Sequence, residues 1–238
     1  MALPKLNVPV YEAILPSTEK VIKYRPFLVK EEKLLLTAQE SGEDAVLPAV
    51  KQIIKNCVQG ELDVDNMPVF DIEYLFLRLR AKSVGEEVTL GLKPWGCPQN
   101  DGKLCNFTTE VSINLDKIEC KKDKKHSSRI MLDEKIGIMM KYPDMSQMNI
   151  KGSETEMGMK VIKNCVNMIF TEEETYERDS FTEKELDEFI DSLNSKQMGQ
   201  INNFFETMPT IKYTAKYTCK TCDEKKETTI QGLQSFFG

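Results

Sequence analysis

A pair of cysteines near the C-terminus constrains the fold of this chain more than any other feature. Cys219 and Cys222 are separated by two residues in "KYTCKTCDEKK", between two strand-like runs. Such spacing lets a tight turn aim both sulfurs at one metal ion. A second pair, Cys97 and Cys105, lies more than a hundred residues earlier between other strand-like runs. If the two pairs share an ion, the fold must bring together hairpins from distant parts of the chain.

The four thiols of Cys97, Cys105, Cys219 and Cys222 predict a structural zinc site of the zinc-ribbon type. The first pair is the weaker half, because seven residues separate its members, although Pro, Asn, Asp and Gly in that loop are turn formers. The alternative is that all four remain thiols without a metal and that the second pair is merely a turn. A redox role is disfavoured, because a thioredoxin-type motif opens a helix and this one lies between strands.

The rest of the sequence predicts an α+β fold, with helical segments on both sides of a central antiparallel β region and paired hairpins that carry the cysteines. Residues 10–24 read as a first hairpin, and short strand-like runs fill residues 86–142. Helical patterns occupy residues 30–44, 45–58, 70–85, 153–170, 181–193 and 195–208. Thr182 and Glu185 predict a capping box at the start of one of these helices.

Two nearly identical segments indicate an internal repeat. "IIKNCV" occupies residues 53–58 and "VIKNCV" occupies residues 161–166, and helices, a strand and a cysteine pair follow each copy. We therefore expect two halves with a similar plan, 1–143 and 144–238, which form one compact unit.

Charge and composition favour a binding protein over an enzyme. The net charge is -6 and the pI is near 5.1, so a nucleic-acid-binding face is not expected. The start of the chain has no signal-peptide pattern, and no apolar run approaches the roughly 20 residues that span a bilayer. With one histidine and no phosphate-binding loop, the sequence offers no catalytic constellation. We expect a protein made in a cytoplasm, with no membrane partner.

Several longer motifs carry a family resemblance. "YRPFLVKEEK", "FDIEYLFLRLRAKSVGE", "FFETMP" and the terminal "GLQSFF" occur in that order. Together they resemble the baseplate hub proteins of T-even-type contractile-tailed phages, over nearly the whole chain. The resemblance implies a non-enzymatic hub subunit or hub assembly protein, which binds other tail proteins in the host cytoplasm and in the tail baseplate of the virion.

Two other functions remain open. The first is a tail-assembly chaperone for a hub or tape-measure protein, absent from the mature virion. The second is a zinc-ribbon nucleic-acid-binding protein. For the hub role, the sequence offers two groups of apolar and aromatic residues as anchors for a partner. They are Tyr24, Pro26, Phe27 and Leu28, and Leu233, Phe236 and Phe237. The alternative for both groups is packing against the core of the chain itself.

Overall fold

The computed structural model describes residues 6–92, 108–149, 152–219 and 222–232. In these residues the backbone forms six α helices and twelve β strands. The helices are α1 (Val29–Ser41), α2 (Glu43–Cys57), α3 (Val69–Ser83), α4 (Glu154–Cys165), α5 (Glu183–Asp191) and α6 (Ser195–Thr207). The strands are β1 (Tyr11–Ile14), β2 (Val21–Tyr24), β3 (Val58–Gln59), β4 (Glu87–Leu92), β5 (Thr109–Asn114), β6 (Cys120–Lys121), β7 (Arg129–Met131), β8 (Gly137–Met140), β9 (Val166–Phe170), β10 (Thr175–Glu177), β11 (Thr210–Thr218) and β12 (Lys225–Gln231).

All pairings between these strands are antiparallel, and they build four small sheets. The strand orders are β1-β2-β3, β10-β9-β8-β7, β12-β11-β6 and β4-β5. The α+β class is therefore confirmed. The single central β region is not what forms, because the strands are distributed over four separate sheets along the chain.

The chain divides into two compact units. Unit 1 consists of Met1–Val64, Phe70–Lys121 and Thr210–Gly238, and unit 2 consists of Asp65–Val69 and Lys122–Pro209. Unit 1 contains the first and the last strands of the chain, whereas unit 2 contains the four-stranded sheet and helices α4 to α6. The division into two halves of similar plan, 1–143 and 144–238, stays a prediction.

Helix α3 forms much of the apolar interior of unit 1. Its apolar residues nearly encircle it, and Leu75, Phe76 and Leu79 are fully buried. Asp71 in its first turn is also buried and accepts hydrogen bonds from the backbone N–H (3.1 Å) and the hydroxyl of Ser17. The carboxylate thereby ties the turn of the β1-β2 hairpin to the positive end of the helix.

The core of unit 2 packs two helices and a helix end onto the sheet. Leu186 of α5, Ile201 and Phe204 of α6, and Cys165 at the end of α4 are buried in one cluster with residues of β8 and β9. The predicted capping box at the start of α5 is confirmed. The Thr182 hydroxyl accepts a hydrogen bond from the N–H of Glu185, and the Glu185 carboxylate accepts one from the N–H of Thr182.

One predicted helix is wrong in its second half. The helical pattern covers 153–170, but α4 ends at Cys165 and the next five residues form β9. Val166 and Ile169 are β-branched, which favours a strand, and both lie in the core, where β9 pairs with β8. The pairing of β9 with β8 therefore decides the local structure, although the apolar residues also have a helical spacing.

The repeated segment has the same local structure in each unit. α2 ends at Cys57 and α4 ends at Cys165, both cysteines are buried, and the following valine begins a strand. That strand pairs with the second strand of the preceding hairpin of its unit. In unit 1 the N–H of Arg25 donates to the carbonyl of Cys57 (3.0 Å), and in unit 2 the N–H of Lys141 donates to that of Cys165 (2.7 Å). Each copy thus joins a helix to a strand in the same way.

Candidate partner-binding surface and cysteine hairpin

A buried ion pair fixes the segment that links β2 to α1. Arg25 donates to the Glu31 carboxylate (3.0 Å) and to the backbone carbonyls of Pro26 (2.9 Å) and Asn56 (2.9 Å). The other oxygen of Glu31 accepts from the N–H of Leu28 (2.9 Å), the residue that precedes α1. One carboxylate therefore caps the helix and holds the guanidinium that in turn binds the end of α2.

Glu31 stays ionised in this position although its side chain is buried. Burial raises its pKa, but the hydrogen bonds from Arg25 and from the Leu28 N–H lower it more, so the net shift of the pKa is downward. The Arg25 pKa is raised by the same hydrogen bond. The segment is thus held by a pair of full charges at neutral pH.

The structure buries three of the four residues in the first predicted partner-binding group and exposes the fourth. Tyr24, Pro26 and Phe27 are buried, and the ring of Phe27 stacks on that of Phe76 at 6.4 Å between centroids. Burial also raises the pKa of the Tyr24 hydroxyl. Leu28 is exposed. Within unit 1, only Leu28 of the four can reach a partner, and the partner role of the group stays a prediction. Leu233, Phe236 and Phe237 lie outside the described residues.

Leu28 belongs to an exposed apolar surface on unit 1, which we define as Leu6, Leu28, Val29 and Val84. These residues, with Phe27 at the base, line an open groove of about 870 Å³. Val29 is 65% exposed and Val84 is 64% exposed. Lys30 and Glu32 stand beside the apolar surface as a mixed-charge margin. Apolar side chains grouped in this way, with charges beside them, are typical of protein-binding surfaces.

The second cysteine pair lies at the turn between β11 and β12. Cys219 is buried and Cys222 packs against it. The N–H of Cys219 donates to the carbonyl of Glu224 (2.9 Å), and the N–H of Asp223 donates to the carbonyl of Cys219 (2.9 Å). Asp223 adopts a left-handed conformation with φ 56°, which closes the turn. The two sulfur-bearing side chains are therefore neighbours on one tight turn.

The first cysteine pair lies outside the described residues. Its flanking strands, β4 and β5, pair antiparallel along their whole length. Among the residues that are described, no group of three or more His, Cys, Asp or Glu side chains is arranged to hold a metal ion. The zinc prediction for Cys97, Cys105, Cys219 and Cys222 stays a prediction, and no zinc ribbon is shown.

The other cysteines in the described residues are buried or half-buried thiols outside the hairpin. Burial raises the pKa of Cys57 to about 11, and that of Cys120 and Cys165 to about 12. A thiol with such a pKa stays protonated and is a poor nucleophile or ligand near neutral pH. Cys57 and Cys165 are both buried, so they are core residues.

The single histidine is a packing residue of unit 2. The ring of His126 lies between two hydroxyl groups, with Nδ1 3.0 Å from Thr207 Oγ1 and Nε2 3.0 Å from Tyr142 Oη. It also contacts the rings of Tyr142 and Phe204. Burial and the nearby Lys122 ammonium lower its pKa. A neutral imidazole that bridges two hydroxyls is accounted for by structure alone.

Comparison with known proteins decides the family. The model of a family described as "T4 bacteriophage base plate protein" matches residues 8–238. The chain belongs to this family. No curated protein and no solved structure matches it. The resemblance inferred from the sequence motifs is confirmed at the level of the baseplate.

Membership makes the chain a phage baseplate protein, and so a structural protein of the tail that interacts with other baseplate proteins. In the part of the chain that the structure describes, no helix is both long enough and apolar enough to cross a membrane.

Proposed function

We propose that the chain is a subunit or assembly protein of the baseplate hub, and that it acts by non-enzymatic protein–protein binding during tail morphogenesis. The observation that carries this proposal is the family match over residues 8–238. The motifs that carry the resemblance to hub proteins, such as "YRPFLVKEEK", favour the hub over other parts of the baseplate.

The apolar surface of unit 1 supports a role in binding. Val29 and Val84 are both exposed and line the same open groove, although exposed valines gain nothing for the stability of the free chain. The Arg25–Glu31 pair keeps the backbone below them in one conformation. A surface that is already ordered before binding loses less conformational entropy when the partner binds.

The alternative is a chaperone that holds a hub or tape-measure protein and then leaves. Quantitative mass spectrometry of purified virions separates the two. A hub subunit is expected at a fixed ratio to the other hub proteins. Absence from virions, together with failed hub assembly when the gene is deleted, would support the chaperone and refute the hub subunit.

We also propose that Cys97, Cys105, Cys219 and Cys222 hold one structural zinc ion. The supporting observation is the turn at Cys219, which places two thiols together between paired strands. Four thiolates would form a closed tetrahedral site, which stabilises hairpins that have little apolar core of their own. Such a site would have no open coordination position for catalysis.

Metal analysis of freshly purified, reduced protein tests this site. We expect about one zinc ion per chain, as for other tetra-cysteine sites. The ion should be lost in Cys219→Ser and retained in Cys120→Ser, which changes a thiol of the same unit opposite Ile211, at the end of β11 far from the turn. Metal-free wild-type protein would refute the site. Binding of nucleic acid that weakens with salt would instead favour a zinc-ribbon nucleic-acid-binding protein.

A further inference from the structure

A cleft with an apolar floor opens beside strand β10 of unit 2. The floor has a volume of about 400 Å³. Its apolar lining comes from β9 and α5, from the residue before β8 and from the segment before α5, and it consists of Ile136, Ile169, Phe181, Leu186 and Phe189. Tyr176 of β10 stands at the edge of the cleft and is 41% exposed. The floor continues the core of unit 2 outwards, so it is preformed.

The rim of this cleft is strongly acidic. Ile136, Thr171 and Tyr176 line both the floor and an adjoining recess, whose other lining residues come from two loops, 133–135 and 172–174. These loops contribute five carboxylates and a single ammonium group. They are those of Asp133, Glu134, Glu172, Glu173 and Glu174, and of Lys135.

Much of this negative charge is not neutralised by the fold. Asp133 accepts hydrogen bonds from two backbone N–H groups of its own turn (2.8 and 2.7 Å), which stabilise it without cancelling its charge. Glu134, Glu172 and Glu173 form no ion pair with any residue in the described parts of the chain. The nearby Arg178 pairs instead with Glu183. The cleft therefore presents a negative potential to an approaching partner.

The backbone beside the cleft is open for pairing. β10 is the outer strand of its sheet, and within the described residues it pairs with β9 alone. Its residues Thr175, Tyr176 and Glu177 are all exposed. Edge strands are commonly protected by lysine or proline, and β10 has neither. An extended segment can therefore lie along it and donate backbone hydrogen bonds.

We propose that this cleft binds an extended, basic segment of another baseplate protein. The segment lies along β10, places an apolar or aromatic side chain on the floor, and directs lysine or arginine side chains to the rim. Alternating side chains of a strand point to opposite sides, which suits a site with a floor and a charged margin. The inference rests on the proposed function, since it specifies the chemistry of one partner of a baseplate protein.

Other ligands fit this cleft less well. A nucleic acid would be repelled by the rim charge. A divalent cation needs carboxylates that converge on one point, whereas no group of three within the described residues is arranged to hold a metal ion. The apolar floor would also be unused by either ligand. The combination of floor, charge and open edge is satisfied by a basic peptide.

The test measures binding of the full chain to fluorescent peptides that cover the other baseplate proteins of the same phage. The cleft variant is Glu172→Gln/Glu173→Gln. The control is Glu40→Gln/Glu119→Gln, which changes the net charge equally at exposed positions of unit 1. Association rates at low salt and thermal stability are measured for each.

We expect the wild-type chain to bind peptides of net positive charge with alternating apolar residues. The association rate should fall on the order of tenfold in the cleft variant and change by less than about twofold in the control, with equal thermal stability. Binding of no basic peptide, or equal rates in the two variants, would overturn the inference. If the chain still enters virions in either case, the proposed function stands; its absence from all tail complexes would refute that function instead.

Discussion

Loss of Arg25 tests whether the ion pair below the partner surface stabilises unit 1 as the geometry indicates. In Arg25→Ala, Glu31 keeps the Leu28 N–H and the exposed Lys30 ammonium at 3.3 Å but loses its buried partner. Removal of one partner from a buried pair destabilises a protein by about 3–5 kcal/mol. The side chain of Arg25 is 19% exposed, so we expect a loss near the lower value, about 3 kcal/mol.

The loss should depend on pH with a definite sign. In the wild type the pKa of Glu31 is lower in the folded chain than in the unfolded chain. The ionised carboxylate therefore stabilises the fold fully above the unfolded pKa of about 4.5, and this contribution disappears as pH falls through the folded pKa. In Arg25→Ala the hydrogen bond from Arg25 no longer offsets the rise that burial causes in the pKa of Glu31. Ionisation of Glu31 then opposes folding. The difference between the two proteins is therefore largest near neutral pH and shrinks in acid.

Urea unfolding followed by circular dichroism at pH 7 and pH 4 measures both effects. The double variant Arg25→Ala/Glu31→Ala provides the control, because it removes the buried charge and should recover part of the stability lost in the single variant. A loss below about 1 kcal/mol at pH 7, which is typical of exposed pairs, would refute the reasoning. A stability difference between Arg25→Ala and the wild type that is the same at both pH values would also refute it.

Three further outcomes are expected. Burial and Lys122 lower the pKa of His126, so the folded state binds fewer protons than the unfolded state. The melting temperature of unit 2 should therefore fall as pH drops below about 6.5. If a His126→Asn variant retains this pH dependence, His126 is not its cause. Gly137→Ala places a methyl group against the buried ring of Phe170, and calorimetry should show a destabilisation of about 1–3 kcal/mol. Thr182→Ala removes the hydroxyl that caps α5 and should lower the free energy of unfolding by about 1 kcal/mol, whereas Thr182→Ser should leave it nearly unchanged.

Local signals in the sequence determined the parts of the fold that were predicted correctly. The first hairpin, the all-round apolar helix α3 and the capping box of α5 each depend on neighbours a few residues away. β9 was missed because its apolar residues also fit a helical spacing, and only pairing with β8 settles the choice. Val166, Ile169 and Phe170 are β-branched or aromatic, and they were the signal that could have found this strand.

The candidate site was less predictable for a similar reason. Glu31 lies in the charged run "KEEK", and nothing in that run tells which carboxylate is buried and caps α1. Tyr24 and Phe27 looked like anchors for a partner, yet the turn into α1 directs both rings into the core. The acidic residues beside β10 have no local pattern that marks a site, since the apolar floor next to them is assembled from residues distant in sequence.

The pairing of β6 with β11 determines the order in which the chain can fold as it is synthesised. Cys120 pairs with Ile211, and all of the residues from Lys122 to Pro209 that belong to unit 2 lie between them. On the ribosome, unit 2 can therefore complete its sheet and helices while unit 1 still lacks β11 and β12. Of the sheet β12-β11-β6, only the two residues of β6 have been made by then, and they wait without their partner strand. Unit 1 therefore begins first and is completed last, because its β12-β11-β6 sheet can close only after the whole of 122–209 has been made.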